Sequence, residues 1–396
     1  MLRGRNTLVA ARCSGPPVES RAAEQSAGVR RNGVRGVARM IHAIRYPATI
    51  ALMVLAVHAG DIWRLATGGR DAGATNEARH VILVVADGLR WQEVFRGADS
   101  LLVFHSNATG RNVGAVQRRY WRSSVTERRS ALMPFVWNTV ARAGQLYGNR
   151  DIGSAARVTN PMKFSYPGYN EMLTGIPDPR IDRNDFGPNP NVTVFEWLDG
   201  REEFRGRVAV AGTWNTFRDI FNESRSGLRV QVPGSDAGTH EAALRLLARK
   251  PRALFVGYGE TDDFAHKGRY DLTLDAAHAV DRYVADLWSR VQAMPEYRGR
   301  TTLILVADHG RGRTARDWKD HGADIAGSDE TWFAVLGPGV APLGARRDAA
   351  PVALAQTAAS VAAAVGLDYL RDVPRAAPPL PAITGGSGAR RGVAAR

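Results

Sequence analysis

Apolar residues in this chain gather into a few short runs, and each run stops at residues that carry chemistry. His80-Val81-Ile82-Leu83-Val84-Val85-Ala86 is nearly unbroken and β-branched, and it stops at Asp87-Gly88. A run that does not alternate reads as a strand covered on both faces, as in a parallel sheet. Thr301 to Ala307 repeats the pattern and stops at Asp308-His309-Gly310, while Ala253 to Tyr258 leads into Gly259-Glu260-Thr261-Asp262-Asp263-Phe264-Ala265-His266. A shorter run, Val208 to Ala211, is followed by Gly212-Thr213-Trp214-Asn215.

Between the last two long runs, Asp271 to Met294 places Leu274, Ala277, Val280, Val284, Leu287 and Val291 at spacings of three and four, which predicts a long helix on one sheet face. Strand, helix, strand in that order is the crossover unit of a parallel sheet. Leu132 to Gln145 predicts a further amphipathic helix, Val192 to Leu198 a short one, and Ser165 to Gly175 another with Pro167 in its first turn and Gly175 at its stop. Residues 97 to 130 hold several arginines, Tyr120 and Trp121 with little period, as expected of an excursion near the edge where substrate-selecting loops lie. No internal repeat is present. The fold class that follows is α/β, a three-layer αβα sandwich around a central, mostly parallel sheet.

The chain has 396 residues, 44% of them apolar, enough for one large α/β domain over residues 78 to 370 once nonglobular ends are set aside. Residues 1 to 39 carry eight arginines against two glutamates and no period, and read as a disordered or overextended start before Met40. Residues 40 to 59 combine Arg45, an apolar stretch from Pro47, and small residues Val57 and Ala59 at the minus three and minus one places, the pattern of a secretory signal peptide. A transit peptide and an uncleaved anchor are the alternatives. Residues 60 to 77 read as a linker, and residues 371 to 396, with Pro-Pro-Leu-Pro, Gly-Gly-Ser-Gly and Arg390-Arg391, as a disordered basic tail. The formal charge of +14 falls mostly on these ends and leaves +3 on residues 60 to 370, an ordinary enzyme balance that gives no support to a specific nucleic-acid partner. Cys13, the only cysteine, precedes the signal, so thiolate chemistry and disulfides are excluded from the mature chain.

Open α/β sheets bind ligands at the carboxyl ends of their strands, which is where Asp87, Asp308 and His309 would lie. Alone, an aspartate before glycine more often closes a turn; two such ends, one with an adjacent histidine, reverse that reading. If residues 259 to 266 coil helically, Asp262 and His266 share one face, as two ligands of one metal must. A solvated acidic turn is the equal alternative for that segment by itself, and His321 by itself is a loop histidine. Ser165 stands at a helix start, where unpaired N–H groups and the helix dipole favour an oxyanion, although a plain N-cap serine is the commoner use of such a position. Oxygen and imidazole donors together suit zinc better than magnesium or calcium.

The order Asp87, Ser165 before a helix, Asp262-x-x-x-His266, Asp308-His309, then His321 resembles the alkaline phosphatase superfamily over residues 78 to 370, and most closely its nucleotide pyrophosphatase/phosphodiesterase branch. Gln356 to Leu367 is similar to the family's closing helix. The resemblance implies two divalent ions, zinc with manganese as the alternative. It implies Asp87, Ser165, Asp308 and His309 around one, and Asp262, His266 and His321 around the other. It also implies Ser165 as catalytic nucleophile and a phosphoseryl intermediate, with backbone N–H groups of residues 166 to 168 on the phosphoryl oxygens. The branch has an asparagine three residues after the nucleophile, expected to help hold those oxygens; here Gly168 stands there, and Asn170 or Asn160 are the candidate replacements. Lys163, Arg157, Lys319 and Arg311 are candidate cations for a monoester, Lys163 being taken with Asn170 as substrate-binding. The formylglycine motif of sulfatases requires arginine where this chain has Tyr169, which argues against sulfate esters by that route.

The expectation is thus an exported, periplasmic or secreted, metal-dependent hydrolase of small-molecule phosphoric esters. The rivals are a phosphomutase or phosphotransferase of the same superfamily and a noncatalytic binding protein that kept the fold.

Overall fold

The structure is a computed structural model and describes residues 80–110 and 113–383. The amino-terminal extension, signal peptide and linker expected from sequence lie outside the described residues, as do residues 384–396.

An eight-stranded sheet runs in the order β10-β2-β9-β7-β1-β6-β4-β5. Its strands are β1 (His80–Ala86), β2 (Gln145–Tyr147), β4 (Val208–Gly212), β5 (Val230–Gln231), β6 (Ala253–Tyr258), β7 (Thr301–Val306), β9 (Phe333–Leu336) and β10 (Gly344–Ala345). A small second sheet joins β3 (Ala156–Arg157), β8 (Glu330–Thr331) and β11 (Val352–Ala353). β1 pairs in parallel with both β6 and β7, and only β9 runs antiparallel within the large sheet. The fold is the mostly parallel α/β sandwich expected.

The unbroken apolar strands have their cause in two cores. Ile82, Val84 and Ala86 point into one, shared with Leu274, Val280 and Leu287 of α8 (Tyr270–Ala293); Val81, Leu83 and Val85 point into the other, shared with Tyr169, Leu173 and Phe255. The remaining helices used below are α1 (Trp91–Arg96), α2 (Val113–Tyr120), α3 (Val125–Leu132), α4 (Ser165–Thr174), α5 (Val194–Asp199), α6 (Asp236–Leu247), α7 (Glu260–His266) and α9 (Gln356–Ala363). No helix among the described residues is long and apolar enough to cross a membrane.

Two expectations are corrected. Residues 132 to 145 do not form one helix: Met133, at φ −127° and ψ 70°, breaks it before Pro134, and a π-helical turn Val136–Val140 follows before β2 begins at Gln145. Proline disfavours helical backbone in the residue before it. Residues 371–383, expected to open a disordered tail, are packed against the domain, because Ala376, Leu380 and Ala382 are buried in the second core. The Leu380 N–H donates to Ser360 Oγ at 2.8 Å and the Ala377 N–H to the Gly175 carbonyl at 3.0 Å.

Candidate metal centre and nucleophile

Register decides what meets at the strand ends. Ala86 pairs with Tyr258 and Val85 with Val306, so β1, β6 and β7 deliver Asp87, Gly259 and Asp308 to one edge. The Asp87 N–H continues the ladder by donating to the Tyr258 carbonyl at 2.9 Å. Gly88 then turns at φ +58°, and a Cβ there would stand 2.6 Å from Asp262 Oδ1 and 2.9 Å from Arg311 Nε. Glycine is required twice over, for its backbone conformation and for its lack of a side chain.

The seven sequence-predicted ligands come together. His309 Nε2 lies 3.2 Å from Ser165 Oγ, 3.3 Å from Asp87 Oδ1, 3.5 Å from Asp308 Oδ2 and 3.7 Å from Asp262 Oδ1. Asp262 Oδ2 is 3.2 Å from His266 Nε2, and the His266 and His321 Nε2 atoms face each other at 2.9 Å. Asp87, Asp308 and His309 form one compact donor group, and Asp262, His309 and His321 a second.

These groups fit divalent cations. Asp308 Oδ2 is buried with no hydrogen-bond partner, a costly state for a carboxylate oxygen unless a cation faces it. His309 Nδ1 lies 2.9 Å from the Gly310 carbonyl, which takes the ring proton there and leaves the Nε2 lone pair turned inward. Burial pushes the Asp308 carboxyl up to about 8, reinforced by Asp87. For His309 burial acts downward, but Asp308 and Asp87 override it and hold the ring up at about 9. Burial, then the charge of His309, holds both His321 and His266 below the usual histidine range, and so in the neutral form that ligates. Without cations Asp308 and His309 both hold protons in this crowded cluster, and divalent ions would displace them, leaving the carboxylate oxygen and the imidazole Nε2 free as donors.

Ser165 opens α4, whose preceding residue Phe164 offers no side-chain cap. The cap comes from a distant loop instead: the Tyr166 N–H donates to Asn184 Oδ1 at 3.0 Å. That bond fixes the amide, because only the oxygen can accept, and leaves the Asn184 Nδ2 as a donor on a residue tied to the start of α4. The Gly168 N–H is spent on the Phe164 carbonyl at 2.9 Å, and Pro167 has none. The expected cradle of N–H groups over residues 166 to 168 is therefore taken up by the helix start.

Other expected substrate contacts are corrected as well. Asn170 is wholly buried, with Nδ2 donating to the Ile176 carbonyl and Oδ1 accepting from Asn189 and Asn191. Asn160 is tied to Glu171 and to the N–H groups of Met162 and Lys163. Gly168 itself is forced by packing, since a Cβ there would stand 2.6 Å from the Asp308 carbonyl oxygen. Lys163 lies at the rim, its Nζ donating to the Ala323 carbonyl at 3.1 Å, and holds the loop that carries His321. Arg157 is exposed and pairs with Asp329, and Lys319 turns to Asp320.

Arg311 is the cation that does enter. It is 2% exposed, and its Nη2 donates to both the carbonyl and the carboxylate Oδ1 of Asp262. Tyr169 and Thr261 also went unread in the sequence: the Tyr169 hydroxyl donates to Asp87 Oδ2 at 3.0 Å, and Thr261 Oγ1 to the Asp87 carbonyl at 2.5 Å. A further brace holds α7, whose Gly259 start has no side-chain cap of its own. Asp236 Oδ1 accepts from the Gly259 N–H at 2.8 Å and from Thr213 Oγ1 at 2.6 Å, and Glu260 Oε1 returns a bond from the Asp236 N–H at 3.1 Å. The starts of α6 and α7 thereby cap each other.

Residues 99–366 match the family model described as type I phosphodiesterase / nucleotide pyrophosphatase. The chain belongs to this family. It is thus a member of the alkaline phosphatase superfamily, a group of metal-dependent hydrolases. Among solved structures it is similar to a putative sulfatase from Bacteroides thetaiotaomicron VPI-5482, at TM-score 0.50 and 13% identity over 74% of this chain and 71% of that one. It is also similar to murine ectonucleotide pyrophosphatase / phosphodiesterase 5, solved in an inactive form with AMP, at TM-score 0.47 and 12% identity over 76% and 97%. The lipoteichoic acid synthase LtaP from Listeria monocytogenes gives TM-score 0.49 and 9% identity over 78% of each chain. No curated protein sequence matches the chain.

Proposed function

We propose that this family member hydrolyses small phosphoric esters, monoester or diester, with Ser165 as nucleophile. The observation that carries the reading is the Ser165 hydroxyl at the start of α4, set 3.2 Å from His309 Nε2 and 3.5 Å from Asp87 Oδ1 within a cluster of carboxylates and imidazoles. Two divalent ions, zinc or manganese, held by Asp87, Ser165, Asp308 and His309 and by Asp262, His266 and His321, would supply Lewis-acid charge to the nucleophile and the leaving oxygen.

The chain's own residues supply the rest. Tyr169 and Thr261 fix Asp87, and Asp87 with His309 orients the serine hydroxyl. Asn184 Nδ2 and the Ser165 N–H, left over at the helix start, donate to the nonbridging phosphoryl oxygens. The Ser165 hydroxyl gives up its proton to solvent as the Oγ–P bond forms and the bond from phosphorus to the leaving oxygen breaks, giving a phosphoseryl intermediate, and the departing alkoxide takes a proton from solvent. Water then cleaves the Oγ–P bond and frees the phosphate product.

The test is turnover of p-nitrophenyl phosphate and bis-p-nitrophenyl phosphate by the full chain. Ser165→Ala should lose roughly 10⁴-fold or more in turnover, the order expected for one member of a catalytic unit. Asn184→Ala should lose roughly 10²-fold, as for one oxyanion donor. Unchanged turnover in Ser165→Ala ends the reading, and the ratio of the two esters separates monoesterase from diesterase.

A further inference from the structure

Among the described residues, three of the five exposed large apolar side chains fall between residues 101 and 125: Leu101 at 56%, Phe104 at 47% and Val125 at 42%. They belong to one patch. Leu101 and Phe104 stand one turn apart on the helical turn Ser100–Val103 and its carboxyl cap. The Phe104 ring meets Trp121 edge-on at 4.8 Å, and the Arg128 guanidinium lies 4.4 Å over Trp121. Val125 and Arg128 are one turn apart on α3, and Arg122 Nη1 donates back to the Arg118 and Trp121 carbonyls at 3.2 and 2.6 Å.

The charge of this patch is one-sided. Arg119 is paired with Asp275 and the Glu127 carboxylate is held by the Ser124 hydroxyl, whereas Arg118, Arg122 and Arg128 form no ion pair among the described residues. Single exposed apolar residues are ordinary, but a contiguous patch rimmed by unpaired arginines marks a surface that meets something. An anionic bilayer suits it on both counts. Aliphatic and aromatic tips gain from entering the boundary between headgroups and acyl chains, tryptophan suits that boundary, and arginine stems lie along apolar surface while their heads meet lipid phosphates. A nucleic acid would use the arginines and Trp121 but gives Leu101 and Val125 nothing to enter.

We propose that this patch docks the protein peripherally on an anionic phospholipid surface. The test is co-sedimentation of the full chain with vesicles of phosphatidylcholine alone and with about a third phosphatidylserine, at about 0.1 M salt where surface charges still act. Binding is expected only with phosphatidylserine. Arg118→Ser with Arg122→Ser should weaken it roughly 20-fold or more, about fivefold per arginine. Leu101→Ser with Phe104→Ser should weaken it roughly 10-fold or more through lost apolar burial. Val192→Ser, at an exposed apolar residue elsewhere, should change nothing, and all variants should stay folded by circular dichroism. The proposal falls if phosphatidylserine vesicles are not bound, or if neither double variant weakens binding. It falls also if a single-stranded oligonucleotide competes and its binding depends on the arginine pair but not on Leu101 and Phe104.

Discussion

Asp87, Asp308 and His309 leave the carboxyl ends of two central strands and are almost wholly buried, whereas Asp262 and His266 ride on a seven-residue helix and His321 on a loop, with the His266 side chain 46% exposed. The inner half inherits its geometry from the sheet: the ladder that fixes β1 against β6 and β7 also fixes where its candidate donor atoms sit. The outer half has no such frame and is assembled by tethers. Arg311 grips Asp262 and the Lys319 carbonyl, Ser328 and Lys163 hold the loop after His321, and Asp236 with Glu260 caps the helix start. A cation at the outer half should therefore be the weaker bound, because its ligands keep more freedom to lose.

The largest expected effect tests this directly. Asp308→Ala should abolish turnover, roughly 10⁴-fold or more, with no rescue by added zinc, since it removes the one buried carboxylate oxygen of the inner group that has no hydrogen-bond partner among the described residues. His321→Ala should lose roughly 10²-fold and recover part of it in excess zinc, because the two remaining candidate ligands, Asp262 and His266, still bind a cation by mass action. Metal content measured during stepwise dialysis against a chelator should fall in two stages, with the first stage absent in His321→Ala. A single-stage release in the parent protein would mean that the two halves bind as one.

The same division governs what the sequence discloses. Asp87, Asp308 and His309 were legible because a buried parallel strand leaves an unmistakable apolar run and the residue after it is bound to reach the ligand edge. Asp262 and His266 were legible by their four-residue spacing, but His321 gave no local signal and was placed only by resemblance. Asn184, proposed above as a donor to the phosphoryl group, gave no local signal: it lies in an exposed loop 19 positions after Ser165 and is tied to the site through the backbone N–H of Tyr166. The mutual cap of Asp236 and Glu260 was hidden for the same reason, each residue looking like an ordinary acid in a first turn. Misreadings came where periodicity competed with proline, at Met133-Pro134, and where a proline-rich tail proved to have a groove to fill at Ser360 and Gln356.

The tethers of the outer half make a smaller prediction. Asp236→Ala removes the cap of α7 without touching any proposed ligand and should weaken outer-cation affinity roughly 10- to 100-fold, as loss of a supporting bond to a metal site does. Zinc titration by calorimetry should show the inner-site affinity unchanged. Equal loss at both sites would mark Asp236 as a general stabiliser of the sheet edge and erase the distinction drawn between the halves.

Asp236 also makes the outer half pH-dependent in a direction that can be worked out. Burial pushes its carboxyl up to about 7, against hydrogen bonds from Thr213 and Gly259 that favour the charged form. Between the ordinary carboxylate range near pH 4 and pH 7, the folded chain therefore holds a proton that the unfolded chain has released. With more protons bound in the folded state, the stability contributed by this group is full below about pH 4 and is lost as pH rises through 7. Asp236→Asn keeps an oxygen for Thr213 and Gly259, cannot ionise, and removes that slope. In denaturant melts of metal-free protein, the variant should gain on the parent as pH rises from 5 to 8, by roughly 1–3 kcal/mol once water access and relaxation discount the full shift. A constant difference between the two proteins across that range would show that the Asp236 carboxylate is already ionised at pH 5, its charge held by the two helix starts it joins.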